Sequence, residues 1–154
     1  MSHGQRAMVN QPIHLPAALA GFDAALWSPR ILTQVNDYDV RIAKVAGEHV
    51  WHTHDDTDEF FLVLDGELRI AVRDGEATHA GEATHAGAGA DRSERVVVLP
   101  QGSVFVVPRG VEHKPFSATG ASILMFEPTG TSTVGDRHDQ IPDHVDATTG
   151  HPLS

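Results

Sequence analysis

Between Arg30 and Glu127 the chain is a succession of short runs in which apolar residues alternate with polar ones, each run closed by glycine, proline or an Asn/Asp turn pair. RILTQVN (30–36), YDVRIAKV (38–45), EHVWHTH (48–54), EFFLVLD (59–65), ELRIAVR (67–73), ERVVVLP (94–100), SVFVVP (103–108), HKPFSA (113–118) and ASILMFE (121–127) all fit this description. A two-residue period sends successive side chains to opposite faces, which suits a half-buried strand and no helix. Asn36-Asp37, Asp65-Gly66 and Asp74-Gly75 are hairpin-type turns. Strands this short and this regularly spaced, with no helical period between them, predict an all-β sandwich or barrel over residues 30–127.

The flanks read differently. Residues 1–29 form an irregular arm broken by Pro12, Pro16 and Pro29, with one short helix expected within Leu15–Phe22. Residues 128–154 are rich in Thr, Asp and Gly, and are expected to be disordered or draped over the barrel. Inside the barrel a tandem hexapeptide, GEATHA at 75–80 repeated at 81–86, reads as a flexible loop, and its His79 and His85 are placed outside the chemistry. A chain of 154 residues suffices for one domain that buries about 68–70% of its unfolded surface without staples. There is no cysteine, which excludes a disulfide scaffold, a thiolate metal site and a thiol nucleophile. Asp plus Glu number 21 against 11 Lys plus Arg. A surface of that sign repels nucleic acid and anionic membrane, so neither is expected as a partner. No run approaches the length of a membrane span and no signal-peptide pattern opens the chain, so the expected location is cytoplasmic. Ile13, Leu15, Leu19, Phe22, Leu26 and Trp27 have no evident place inside the barrel, and sheet edges need cover, so a homodimer is expected.

The chemistry is suggested by histidine, of which the chain has 11. His52 and His54 are two apart on a strand and project from one face. The turn formers Asp55–Asp58 then reverse the chain and bring Glu59 to the start of the next strand. Two imidazoles and a carboxylate on one inward face are a ligand set for a divalent transition metal. Further on, Pro108-Arg109-Gly110 makes a tight turn that delivers His113, a third imidazole that could complete the site.

Taken together these stretches resemble the cupin superfamily. Its first motif, G(x)5HxH(x)3–4E(x)6G, is matched by Gly47, His52, His54, Glu59 and Gly66, with one residue fewer before His52. Its second, G(x)5PxG(x)2H(x)3N, is matched by Gly102, Pro108, Gly110 and His113, with Ser117 in place of the asparagine. The runs HTHDDTDEFFLVLDGEL and FVVPRGVEHKPFS are similar to small single-domain bacterial cupins described as mannose-6-phosphate-isomerase-like.

The resemblance implies a double-stranded β-helix (jelly-roll) barrel holding one divalent metal ion (Fe, Mn, Ni, Co, Cu or Zn) through His52, His54, Glu59 and His113. Two coordination positions would stay open for water, O2 or a chelating substrate. Strand parity puts Phe61 and Val63 on the Glu59 face, and with Phe105, Phe116 and Phe126 they are the expected substrate contacts. Arg41, Arg69, Lys44 and Lys114 could orient an anionic substrate if they face inward, although such residues are more often solvated. Trp51 is expected to point outward, and the opposite parity of His49 leaves it out of the site. The leading functional expectation is an O2-using dioxygenase acting on a small chelating substrate. The alternatives are a non-redox isomerase, epimerase or lyase, which needs a base that the barrel strands do not visibly offer, and a small-molecule-binding protein without turnover.

Overall fold

The structure is a computed structural model and describes residues 11–21, 25–74 and 93–153. The tandem hexapeptide and Phe22 lie outside the described residues. Among the described residues one helix, α1 (Leu15–Ala20), precedes ten strands: β1 (Arg30–Val35), β2 (Tyr38–Glu48), β3 (His52–Thr53), β4 (Glu59–Gly66), β5 (Leu68–Arg73), β6 (Glu94–Leu99), β7 (Val104–Val107), β8 (Glu112–Pro128), β9 (Arg137–His138) and β10 (His151–Pro152). The protein is thus all-β, a jelly roll.

Strand β8 organises the barrel. Its first half pairs antiparallel with β5 on one side and reaches β3 through His52↔His113. Its second half lies between β2 and β4. The expected strands 113–118 and 121–127 are therefore one continuous element, bent at Gly120, where φ is +101°. Ser117 secures the bend. Its buried hydroxyl donates to the Glu67 carbonyl at 2.7 Å and accepts from the Gly120 amide at 3.0 Å, so a serine serves where the motif has asparagine.

The alternation along β4 is realised, with Glu59, Phe61 and Val63 buried and their neighbours half-buried. Phe61 and Val63, with Ala43, Val45, Ile70, Val72, Ile123 and Met125, belong to the hydrophobic core of the barrel. The expected run 48–54 shrinks to two ladder residues. A register shift after Val45 and a left-handed Gly47 (φ +78°) end β2, and residues 49–51 bridge to β3 outside any strand.

Both flanks pack on the barrel. Leu15, Ala18 and Leu19 of α1 sit against a satellite cluster of Leu32 and Ile42 on the protein's own sheet. Trp27 belongs to the main core at 4% exposure and donates its indole N–H to the Ala46 carbonyl at 2.9 Å. Of the arm residues expected to lie across a second subunit, these are absorbed within the chain, while Ile13 and Leu26 remain exposed. The C-terminal segment is draped rather than loose. β9 pairs with β3, β10 pairs parallel with β1, and Val134 and Val145 enter the core. Among the described residues no helix is long and apolar enough to cross a membrane.

Candidate metal centre

Three strands deliver four donors to one point. His52 opens β3, His54 follows it directly, Glu59 is the first residue of β4, and His113 faces His52 across the β3–β8 pair. All four are buried, and one ligating atom from each lies within 4.8 Å of the others. Glu59 Oε1 is the hub, at 2.9 Å from His113 Nε2, 3.1 Å from His54 Nε2 and 3.9 Å from His52 Nε2.

The backbone orients the rings. His52 Nδ1 lies 2.8 Å from the Val50 carbonyl, and His113 Nδ1 lies 2.9 Å from the Val111 carbonyl. A carbonyl can only accept, so each Nδ1 carries a ring proton, which leaves His52 Nε2 with its lone pair toward the centre, while His113 Nε2 faces Glu59 Oε1 at 2.9 Å. Two of these inward nitrogens, His52 Nε2 and His54 Nε2, are buried without a hydrogen-bond partner. Burying unpartnered ring nitrogens beside a carboxylate is costly unless a cation, a metal ion or a proton, joins them. The residues therefore fit a divalent metal ion on the donor set and on these orphaned atoms.

Electrostatics favour ligation at His52 and Glu59, whereas the charge of Glu59, with no cation beside it, favours a proton on His54. Burial, reinforced by His113, holds His52 well below its ordinary range, so it is neutral and ready to ligate. For Glu59 burial favours the neutral acid, but His54 and His113 override it and hold the carboxyl well below the usual range. Burial likewise opposes a charge on His54, yet the proximity of Glu59 wins and raises its pKa.

A cavity of about 30 Å³ opens beside the cluster, walled by Trp27, Val45, His49, Phe61, Met125 and Glu127 among others. It has room for a water or two as it stands. Phe61 reaches this cavity, whereas Val63 is fully buried in the core beyond it. Phe105 is partly buried against the core. Phe116 and Phe126 are not brought to the cavity. Parity counted from His113 puts them on the other face of β8, where Phe126 stacks on Tyr38 with ring centroids 4.8 Å apart. Arg41 is wholly buried instead of solvated, and ion-paired to Asp39 and Glu127. Lys114 pairs with Glu48 and Arg69 with Glu67 at the surface. Trp51 faces outward, with the Arg73 guanidinium 3.6 Å over its ring.

Two residues at the site escape sequence reasoning. His49 lines the cavity because residues 49–51 are not a strand, so parity with His52 has no meaning there. Its ring lies 4.9 Å from that of His52 and 5.0 Å from that of Trp27. Glu127 was hidden because β8 was read as two strands. Continued parity from His113 would have found it.

His49 also makes a testable contribution to stability. Burial, opposed by the charge of Glu59, lowers its pKa to about 4 from the ordinary 6.5. The fold holds it neutral while the unfolded chain protonates it below 6.5, so stability rises with pH between about 4 and 6.5 and is lost on acidification. The full shift corresponds to about 3 kcal/mol. In metal-free protein, urea midpoints followed across this window are expected to show a shallower slope in His49→Asn. An unaltered slope contradicts the assignment.

Comparison with known proteins places these features. Residues 38–143 match the sequence model of the family described as Cupin. An uncharacterized Bacillus subtilis protein, YdbB, is 32% identical over 103 residues, covering 67% of this chain and 74% of its own length. A cupin-2 domain containing protein from Shewanella frigidimarina superposes with a TM-score of 0.62 at 35% identity, over 79% of this chain and 99% of the other. Hydroquinone 1,2-dioxygenase from Sphingomonas, solved with 4-hydroxybenzoate bound, shares the fold at a TM-score of 0.54 and 17% identity, over 80% of this chain and 78% of that one.

Proposed function

The chain belongs to the cupin family, and from that premise we propose that it is a metal-dependent enzyme, a dioxygenase acting on a small substrate that chelates through two oxygens. The observation that carries the proposal is the buried cluster of His52, His54, Glu59 and His113, with two inward Nε2 atoms lacking partners, opening on a cavity. These four residues would hold one iron(II) ion, which when bound supplies the electron exchange between substrate and O2. Glu59 contributes the one negative charge of the ligand set, and the Val50 and Val111 carbonyls keep the His52 and His113 rings aimed inward. Phe61, Met125 and Trp27 give the cavity an apolar lining. The dioxygenase that shares the fold supports the architecture for this reading.

Anaerobically purified protein loaded with iron(II) is expected to consume O2 when offered β-diketones, catechols or hydroquinones. Turnover of such a substrate without O2 uptake would move the protein to the isomerase and lyase class, the chemistry implied by the mannose-6-phosphate-isomerase-like resemblance. A homodimer remains part of the proposal. Tyr38, Val104 and Val106 are exposed on β2 and β7, and among the described residues β7 is an edge strand whose one partner is β4.

A further inference from the structure

The wall of the cavity beside the ligands presents mostly carbon. Trp27, Val45, Phe61, Pro115, Ile123 and Met125 line it, and two of its side chains with a polar end have that end committed elsewhere. The Trp27 indole N–H donates to the Ala46 carbonyl at 2.9 Å. The Thr133 hydroxyl donates to the Asp146 carbonyl at 2.7 Å and accepts from the Thr148 amide at 3.0 Å, so what Thr133 offers the cavity is its methyl group. Besides the ligands His52 and Glu59, the ionisable side chains of the wall are His49 and Glu127.

Among the described residues no lysine or arginine lines the cavity. Arg41 is the one buried cation among them, and a guanidinium has five N–H groups to give. Nε and Nη2 donate to Asp39 Oδ2 at 3.1 and 2.9 Å, Nη2 donates again to the Thr149 carbonyl at 2.8 Å, and Nη1 donates to the Thr131 carbonyl at 3.0 Å. Nη1 also stands 3.0 Å from Glu127 Oε2. All five groups are thus taken by partners inside the protein, and none is left for a ligand. Charge then limits what can bind. A divalent ion with Glu59 as its one anionic ligand leaves a single positive charge, which one ionised hydroxyl of a chelating pair offsets. A second anionic group on the same molecule would lie among carbon and carboxyl groups with no cation to meet it, and burying an unpaired charge is costly.

We propose that the site takes small chelators whose one charge lies in the chelating pair and whose remainder is hydrocarbon, and that it turns away molecules carrying a phosphate or a further carboxylate. The proposal rests on the reading that the cavity holds a metal-chelating small molecule, and it narrows that reading. Sugar phosphates fall outside the substrate class, whether the reaction uses O2 or not. Met125 is a specificity-determining residue. It is an unbranched apolar side chain in the wall, at a position where a lysine of similar length would supply the missing cation.

The test uses zinc-loaded protein and hydroxamic acids, whose chelating head stays constant while the tail varies. 4-Methylpentanohydroxamic acid and succinic acid monohydroxamate carry an isopropyl group or a carboxylate at the end of the same spacer. They displace nearly the same volume, so the ratio of their dissociation constants, measured by calorimetry at pH 7, reports charge and not size. The wild type is expected to bind the isopropyl compound at least about tenfold more tightly. Equal affinities, or tighter binding of the carboxylate, overturn the proposal. Met125→Lys, holding zinc as the wild type does, is expected to narrow or reverse the ratio, and an unchanged ratio in the zinc-loaded variant also overturns it. Should that variant not fold, the wild-type ratio decides alone. Acetohydroxamic acid, the same head with a single methyl, tests the underlying reading separately. If zinc does not strengthen its binding, the metal-chelation reading fails and this proposal falls with it. If zinc does strengthen it and the two larger probes bind equally, this proposal alone fails.

Discussion

A protein carrying both His52→Ala and His113→Ala will hold no zinc after loading and desalting, while the wild type retains close to one ion per chain. The two rings face each other across the β3–β8 pair with centroids 4.3 Å apart, and each has its Nδ1 committed to a backbone carbonyl. Removing them leaves His54 and Glu59, a pair too poor in donors to hold a divalent ion against water. The loss should also appear as stability. A ligand present at a hundred times its Kd stabilises the folded state by about 2.7 kcal/mol, so zinc should raise the melting temperature of the wild type and leave the double variant where it was. Metal retained at wild-type stoichiometry in the double variant would show that the ion binds elsewhere. Acid should release the metal from the wild type, because ligating imidazoles have to be neutral.

The second large effect is expected from a residue that ligates nothing. Gly135 lies in the turn before β9 with φ +67°, and a Cβ built on it would stand 2.3 Å from the Thr53 carbonyl oxygen, 2.9 Å from its carbon and 3.2 Å from His52 Cδ2. Backbone atoms of the ligand-bearing strand cannot yield, so alanine has to lift the tail away from β3. That breaks the bond from the Asp136 amide to the Thr53 carbonyl at 2.8 Å and the one from the Asp55 amide to the Asp136 carboxylate at 2.7 Å. Gly135→Ala is expected to cost at least about 3 kcal/mol, combining left-handed strain of about 1–2 kcal/mol with the clash, and to weaken zinc binding through His52. Gly130→Ala is the control. Its φ is +93°, but nothing lies within 4 Å of the added Cβ, so only the strain applies. Thermal melts of the two variants, with and without zinc, separate the terms. Equal melting temperatures would mean that the tail does not press on β3.

Local spacing carried most of what could be read without coordinates. His52, His54 and Glu59 are joined by one turn, and strand alternation alone puts Glu59, Phe61 and Val63 on one face, as β4 bears out. Parity fails wherever the chain leaves the ladder or bends within it. His49 stands in a stretch that is not a strand, and the Gly120 bend made one strand look like two, hiding Glu127 on the inward face and letting Phe116 and Phe126, which lie on the other face, stand as expected substrate contacts. Long-range burial was the other blind spot. Nothing in the neighbourhood of Arg41 in the sequence announces a buried guanidinium whose carbonyl partners, Thr131 and Thr149, come from the far end of the chain. Trp27 reads as arm, yet its indole N–H finds a partner in the Ala46 carbonyl, and that lets the ring enter the core.

The reach of β8 has a consequence for how the protein is made. Of the strands that precede it, β1 and β2, β4 and β7, and β5 and β6 pair with one another, and two-stranded ribbons of this kind are marginal in water. Among the described residues, every strand pairing that joins these ribbons to one another runs through β8. During synthesis the ribosome therefore delivers a chain with no closed core until residues 112–128 have emerged from the exit tunnel. Folding is then expected to be late and cooperative, with the apolar edges of the early ribbons relying on chaperones in the interval.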